Sequence, residues 1–259
     1  MADIIVFPFL GGMQFSFSPI AFTVGGRVVY WYGIIVTVAI LAAAAVALYR
    51  AKLAEMDGDK IVDAIFVTVV AGLLGTRFYY VAFAEGLGWA DLFRFRDGGL
   101  AIYGGLIGGT IGLLAACRIK KIPFWDLVNV AAPAVLVGQA IGRWGNFANR
   151  EAYGVAYDGF FRMELHGVTT DAFISVHPTF LYESLWCLLG AFLIMKFAKK
   201  DEFWWFAGWY GLGRAWIEGL RADALMMGGI RVSQMVAIVS VVVAAVVLVR
   251  KKMGVKSEN

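Results

Sequence analysis

Residues 142–154, GRWGNFANREAYG, concentrate polar chemistry directly after the apolar run VNVAAPAVLVGQAI. The stretch holds two guanidiniums, two amides and one carboxylate, those of Arg143, Arg150, Asn146, Asn149 and Glu151. A guanidinium binds phosphate through a planar fork of N–H donors, and amides can add hydrogen bonds to a polar head group. The stretch therefore predicts half of an anion site, with glycines that let the chain leave the helix and fold back.

A second charged stretch, YGLGRAWIEGLRAD at 210–223, has helical spacing. Arg214 and Glu218 are four residues apart, and Glu218 and Arg221 are three apart, so they share one helical face. One interpretation is an ion-pair ladder that joins helices. The other is the second half of the anion site, because arginines outnumber nearby acids such as Glu183 and leave positive charge for a lipid phosphate.

The composition is typical of a membrane protein. The 259-residue chain is 61% hydrophobic and 16% charged, whereas soluble domains are about 45–50% apolar and about 25% charged. A membrane span needs about 20 mostly apolar residues. We predict one all-α integral membrane domain, residues 1–259, with a small extracytoplasmic head region in the outer loop 144–177. The seven predicted spans are 29–49, 61–84, 99–117, 124–143, 178–198, 203–221 and 230–249.

The distribution of Lys and Arg between the connections predicts an orientation. Thirteen of them follow the first, third, fifth and seventh spans, and five lie in the opposite connections. We therefore expect the N-terminus outside and the C-terminus in the cytoplasm. Arginine costs about 2.5–3.5 kcal/mol at the bilayer centre, so those within spans need partners. Five arginines lie within spans, all in the outer half: Arg77, Arg143, Arg214, Arg221 and Arg231.

Several other functions lack support in the sequence. The basic residues are spread along the chain, which does not favour nucleic acid binding, and there is neither a GxSxG elbow nor a P-loop. The two histidines and two cysteines do not have metal-ligand spacing, so we expect no metal and no cofactor. We interpret Cys117 and Cys187 as small core residues.

Four tyrosines fall at a depth similar to that of the arginines: Tyr32, Tyr103, Tyr182 and Tyr210. Any one of them could belong to an aromatic belt at the membrane interface or contact a lipid head group. Tyr103 differs from the others because Gly104 and Gly105 follow it and allow close approach of a backbone or a ligand.

Together these stretches resemble one known family. GRWGNFANREAYG is similar to the signature of the phosphatidylglycerol–prolipoprotein diacylglyceryl transferases, which carry out the first step of bacterial lipoprotein maturation. Five further matches occur in the same order and span nearly the whole chain. They are WYG at 31–33, AIYGGLIGG at 101–109, HPTFLYE at 177–183, YGLGRAWIEGLRAD at 210–223 and IRVSQ at 230–234. The family's seven-helix topology, with an outer N-terminus, agrees with the predicted orientation.

The resemblance implies transfer of the sn-1,2-diacylglyceryl group of phosphatidylglycerol to the lipobox cysteine thiol of a prolipoprotein signal peptide. A thioether forms and glycerol phosphate leaves, at the outer leaflet of the bacterial cytoplasmic (inner) membrane. Arg143 and Arg214 match the family's essential arginines and are assigned to the phosphate; with Tyr103 they are the expected catalytic residues. Glu151 is expected to orient Arg143. The expected phosphatidylglycerol-binding residues are Arg143, Asn146, Asn149, Glu151, Gly154, Tyr32, Tyr182, Glu183, Tyr210, Glu218 and Arg221.

One position departs from the family pattern. Many relatives have a histidine, proposed to handle the thiol proton, where this chain has Tyr103. Tyrosine is a poor general base near neutral pH. Tyr103 could therefore orient the substrate while the proton leaves through Glu218, Glu151, water or the phosphate, and the sequence leaves these routes open.

Two other functional classes are alternatives to the transferase. A transporter or channel for an anionic solute should have inverted repeats and polar groups that lead to both sides of the membrane, whereas the charge here is one-sided. A structural membrane scaffold should tolerate neutralisation of the arginines with effects on folding alone.

Overall fold

The computed structural model describes residues 4–16, 18–84, 86–94, 99, 101–166, 173–198, 200–222, 226–228 and 230–257. Within these residues the chain forms seven α-helices, which confirms the predicted all-α fold class. They are α1 (Trp31–Leu53), α2 (Gly58–Phe83), α3 (Ile102–Lys120), α4 (Phe124–Asn149), α5 (Thr179–Phe197), α6 (Glu202–Leu220) and α7 (Val232–Ser257).

Six of the seven helices in the described part of the chain are long and apolar enough to cross a membrane. The exception is α6, whose position matches the sixth predicted span but which contains the ionisable residues Glu202, Arg214 and Glu218. That α6 crosses the bilayer stays a prediction. The orientation of the chain in the membrane also stays a prediction.

The end of α4 differs from the prediction. We expected the chain to leave the helix after residue 143, but α4 continues to Asn149. Gly145 lies inside the helix and faces the ring of Tyr32; a Cβ added there would lie 2.9 Å from Tyr32 Cδ2. Arg143, Asn146 and Asn149 are consequently spaced three residues apart along one helix.

Short strands accompany the helices and were not predicted. In the described residues they are β1 (Ile4–Phe7), β2 (Met13–Ser16), β3 (Ile20–Val24), β4 (Arg27–Tyr30), β5 (Met163–His166), β6 (Ile174–Val176), β7 (Met226–Met227) and β8 (Ile230–Arg231). Four of them form an antiparallel sheet in the order β2-β1-β5-β6. Ile5 stands opposite Phe15 and Leu165, and the buried side chains of this sheet pack against Phe180 of α5.

The described chain divides into two compact units. Unit one comprises Met1–Ala43 and Ala132–Asn259, and unit two comprises Ala44–Ala131. The assignment of all 259 residues to one domain stays a prediction. Both cysteines are free and buried, as expected for small core residues: Cys117 in the core of unit two and Cys187 in that of unit one.

Unit two is built on close packing of α2 against α3. A Cβ added to Gly75 of α2 would lie 2.3 Å from the carbonyl oxygen of Gly104, and one added to Gly104 would lie 2.2 Å from that of Gly75. Small residues let helix backbones approach in this way inside membranes. The Gly-rich sequence of α3 thus serves helix contact, as the sequence indicated.

We expect Gly75→Ala to destabilise the protein by about 1–3 kcal/mol, because the added methyl group overpacks a contact between two backbones. Gly58→Ala is the matched control on the same helix, since no atom lies within 4 Å of a Cβ added there. Thermal unfolding in detergent measures both variants. Equal unfolding temperatures for the two variants would contradict this account of the contact.

Candidate functional site

Glu183, near the start of α5, is the centre of a charged cluster in unit one. Its side chain is only 4% exposed. Its Oε1 accepts a hydrogen bond from Nη2 of Arg143 on α4, and Nη1 of Arg214 on α6 donates to its Oε2 over 3.3 Å. A buried carboxylate is costly unless it is well paired. Glu183 meets this requirement with two guanidiniums and thereby fixes Arg143 and Arg214 relative to each other.

Glu218 extends the cluster along α6. Its side chain is 2% exposed, and its Oε2 lies 2.6 Å from Nη2 of Arg214 and 3.9 Å from Nε of Arg221. The Arg214 contact is an ion pair whose angles fall outside hydrogen-bond geometry. The helical spacing of Arg214, Glu218 and Arg221 thus brings the three side chains together. We call Arg143, Glu183, Arg214, Glu218 and Arg221 the arginine cluster.

The last two turns of α4 add polar groups beside Arg143. Nη1 of Arg143 donates to Oδ1 of Asn146 over 3.3 Å, and Nδ2 of Asn146 donates to Oε1 of Glu151 over 2.9 Å. Glu151 was expected to orient Arg143 directly. In the structure it is connected to Arg143 through Asn146, and the direct carboxylate partner is Glu183. Asn149 ends α4 and is partly exposed.

Residues of the IRVSQ stretch were not assigned a role from the sequence, yet they support the cluster. Nη1 of Arg231 donates to the backbone oxygen of Glu218 over 2.7 Å, and Nε2 of Gln234 donates to that of Ala215 over 2.7 Å. Both bonds hold carbonyl groups in the second half of α6. The contact needs α7 to pack beside α6, which spacing along the sequence does not reveal.

The arginine cluster has three arginines and two glutamates. One positive charge therefore remains after pairing. The side chains of Arg143 and Arg214 are 20% and 17% exposed, so neither guanidinium is sealed from its surroundings. Each guanidinium has five N–H donors, more than these carboxylate and amide contacts require. Arg143 and Arg214 are thus fixed in position and can still bind an anion.

The four tyrosines lie in different surroundings. Tyr210 of α6 is within electrostatic range of Arg143 and Arg214, and Tyr32 is within range of Arg143 while its ring packs on Gly145. Tyr182 instead packs near Trp216, with a ring distance of 6.1 Å. Tyr32 and Tyr210 therefore lie near the arginines, whereas the contacts of Tyr182 are with the rings of Trp216 and His177.

Tyr103 belongs to unit two, near the start of α3. It is 45% exposed, and its ring centroid lies 6.5 Å from that of Tyr79 on α2. Gly104 and Gly105, which follow it, are used in packing α3 against α2. The close approach that these glycines permit is therefore that of a neighbouring helix.

Arg77, also in unit two, has a structural environment. It is buried, and its Nε and Nη2 donate to the carbonyl oxygen of Asp91 over 3.1 and 2.7 Å. Asp91 lies in a short 3₁₀ helix, Trp89–Phe93. These hydrogen bonds of Arg77 hold the connection between α2 and α3 in place. Arg77 thus has a structural role within unit two.

Gly154 joins the segment after α4 to the end of α6. Its amide donates to the carbonyl oxygen of His177 over 2.9 Å, and it pairs with Arg221 in an isolated β-bridge. A Cβ added to Gly154 would lie 2.5 Å from His177 Cβ and 2.9 Å from the carbonyl oxygen of Leu220. This glycine is therefore required for a close backbone crossing, which in turn positions Arg221.

His177 lies beside that crossing and precedes α5. Its ring stacks on Tyr157 at 3.8 Å, and its Nδ1 lies 3.4 Å from the hydroxyl oxygen of Tyr182. Burial lowers the pKa of His177 below its usual value, because desolvation disfavours the charged ring. Burial therefore favours the neutral form of the His177 ring.

Comparison with known proteins identifies relatives over nearly the full chain. The family model described as prolipoprotein diacylglyceryl transferase matches residues 19–250. A protein of Streptococcus equi subsp. zooepidemicus is 40% identical over 254 residues, which cover 90% of this chain and 95% of that protein. One of Clostridium novyi is 37% identical, covering 93% and 98%, and one of Bacillus cereus is 39% identical, covering 91% and 93%. All three are named phosphatidylglycerol–prolipoprotein diacylglyceryl transferase. These names do not favour the alternative of a transporter or channel.

Proposed function

The chain belongs to the prolipoprotein diacylglyceryl transferase family, and we propose that it transfers the sn-1,2-diacylglyceryl group of phosphatidylglycerol to the lipobox cysteine of a prolipoprotein. The observation that carries the proposal is the buried Glu183, which holds one arginine of α4 and one of α6 together. Two fixed guanidiniums are what a reaction with a departing phosphate needs.

The reaction balances as a displacement at carbon. The cysteine thiolate attacks the glycerol carbon that bears the phosphate, a carbon–sulfur bond forms, and the carbon–oxygen bond to the phosphate breaks. Glycerol phosphate leaves with the electron pair. Negative charge therefore grows on the leaving phosphate in the transition state, and cations held in place beforehand stabilise it most.

Arg143 and Arg214 are assigned to the phosphate. Besides contacting Glu183, Arg143 donates to Asn146 and Arg214 pairs with Glu218. A guanidinium has five N–H donors, so donors of both arginines are left for phosphate oxygens. Asn146 and Glu151, joined by a hydrogen bond of 2.9 Å, are assigned to the hydroxyl groups of the glycerol head group. Tyr32 and Tyr210 line the same region, whereas Tyr182, Asn149 and Gly154 are assigned to shaping it.

The proton of the thiol must reach an acceptor. Glu218 is a poor candidate, because its buried carboxylate already lies against Arg214 and Arg221. Glu151 is exposed and next to the amide of Asn146, which favours Glu151, directly or through water, among the routes considered. Tyr103 is assigned to orienting a substrate through its hydroxyl group.

If the Tyr103 hydroxyl orients a substrate, Tyr103→Phe should lower kcat/KM by about tenfold, the scale of one hydrogen bond to a charged group. Tyr79→Phe is the matched control, because its ring is the neighbour of Tyr103 and it has no assigned role. Steady-state transfer kinetics compare the two variants. Full activity of Tyr103→Phe would exclude its hydroxyl from orientation and from proton transfer.

The site is placed at the outer leaflet of the bacterial cytoplasmic membrane, in a multi-pass protein. Support comes from the thirteen Lys and Arg residues in the connections predicted to be cytoplasmic against five in the others. Within unit one, Glu183 of the arginine cluster lies near the start of α5, whereas Lys196, one of the thirteen, lies near its end. A secreted prolipoprotein presents its cysteine on that side.

One assay tests the proposed function. Purified protein is mixed with phosphatidylglycerol and a peptide that contains a lipobox cysteine, and mass spectrometry of the peptide follows. We expect a mass gain of one diacylglyceryl group on the cysteine and release of glycerol phosphate. An unmodified peptide, together with uptake of an anion into liposomes that contain the protein, would favour the transporter instead.

A further inference from the structure

A cavity between α5, α6 and α7 lies apart from the arginine cluster within unit one. Its volume is about 440 Å³, within the range of small-molecule sites. Its lining consists of aliphatic and aromatic side chains, three tryptophans among them, and one glycine. Phe197 of α5, Trp205 and Leu212 of α6, and Ala245 and Leu248 of α7 belong to this lining.

The cavity lies toward the other end of α5 from the arginine cluster. Phe197 follows Glu183 by fourteen residues on the same helix, which corresponds to about 21 Å along its axis. Phe197, Trp205 and Leu212 are each at least half exposed, so the cavity opens to the surroundings of the helices. In a membrane those surroundings are lipid acyl chains.

The rim of the cavity is basic. Nζ of Lys196 lies 5.3 Å from the ring centroid of Phe197, a lining residue, and Leu248 is followed closely by Lys251 and Lys252. Nζ of Lys251 bonds the carboxylate of Asp201 and neutralises it. The described residues of 196–202 and 250–252 contain five basic and two acidic side chains, namely Lys196, Lys200, Arg250, Lys251, Lys252, Asp201 and Glu202.

We propose that this cavity binds one acyl chain of an anionic phospholipid whose phosphate is held at the basic rim by Lys196 and its neighbours. The apolar lining is complementary to the acyl chain, and the basic rim is complementary to the phosphate. Basic pockets between membrane helices bind anionic head groups. Zwitterionic lipids have the same chains without the net charge, so they bind more weakly. The site is separate from the one that holds the lipid to be cleaved.

Photolabelling tests the proposal. Full-length protein is reconstituted in phosphatidylcholine vesicles with a trace of phosphatidylserine or phosphatidylcholine, each with a photoreactive group at the chain end. Phosphatidylserine is anionic and is not the lipid in the relatives' names, so the result does not depend on transfer activity. After irradiation, peptide mass spectrometry should show phosphatidylserine labelling residues 193–212 and 241–248 about fivefold more than phosphatidylcholine does.

Variants separate the two halves of the site. Ala245→Phe fills the cavity and should abolish the excess labelling, whereas Val246→Phe, the exposed neighbour outside the lining, should not. Lys196→Gln, at an exposed position, should clearly reduce the excess of phosphatidylserine labelling, and Lys196→Arg should preserve it. Equal labelling by both lipids in the wild type, or unchanged labelling in Ala245→Phe or Lys196→Gln, would overturn the proposal.

Discussion

Replacing Arg143 with alanine is expected to lower diacylglyceryl transfer by about a thousandfold, the upper range for removing one donor to a developing anion. Arg143 donates to both Glu183 and Asn146, so its guanidinium is fixed before a lipid arrives. Arg143→Lys retains the charge but loses the planar fork, and we expect it to recover only part of the rate. Initial rates of peptide lipidation measure both variants.

The control for Arg143 is Arg162→Ala. Arg162 also forms a carboxylate ion pair in unit one, with Glu164 at 2.8 Å, but its side chain is 34% exposed and lies outside the arginine cluster. We expect it to retain wild-type rates. Thermal unfolding should show that Arg143→Ala remains folded, because Arg214 still compensates Glu183. A folded Arg143→Ala protein with wild-type-like transfer would remove Arg143 from the chemistry.

Glu183→Gln is expected to impair both stability and catalysis. Neutralising one partner of a buried pair typically costs about 3–5 kcal/mol, because the remaining charges lose their compensation. Displacing a catalytic group by about 1 Å costs on the order of a hundredfold in rate, and here both Arg143 and Arg214 lose the carboxylate that positions them. The unfolding temperature and kcat/KM should therefore fall together.

Glu164→Gln provides the comparison for this loss. Glu164 has one arginine partner and is 25% exposed, and exposed ion pairs contribute only about 0–1 kcal/mol. We expect a small effect on unfolding and none on transfer. If Glu183→Gln loses stability but transfers at the wild-type rate, the cluster is the ion-pair ladder that the sequence left open.

The sequence predicted the helices well because each is a long apolar segment bounded by charged or glycine-rich connections. It also predicted the shared face of Arg214, Glu218 and Arg221, since helical spacing alone determines it. The predicted end of α4 was wrong, because the glycines of residues 142–154 were interpreted as letting the chain leave the helix. The structure shows that Gly145 faces Tyr32, a contact between segments more than a hundred residues apart.

The remaining features of the site and the fold depend on tertiary contacts, which the sequence does not reveal. Glu183 joins Arg143 and Arg214 only when α4, α5 and α6 pack together, and no local spacing encodes that meeting. The sheet was missed because its strands are three or four residues long and β1 pairs with β5, far away in the chain. Gly154, predicted from the family signature as a substrate contact, has a position that close backbone packing explains by itself.

The central claim is that Arg143 and Arg214 together hold the phosphate of the lipid. A cryo-electron microscopy map of the protein with bound phosphatidylglycerol tests it most directly. We predict phosphate oxygens within about 3 Å of guanidinium nitrogens of both residues, the distance of charge-assisted hydrogen bonds, with Glu183 still between them. A phosphate that contacts neither arginine, bound in a protein that is active under the same conditions, would contradict the account.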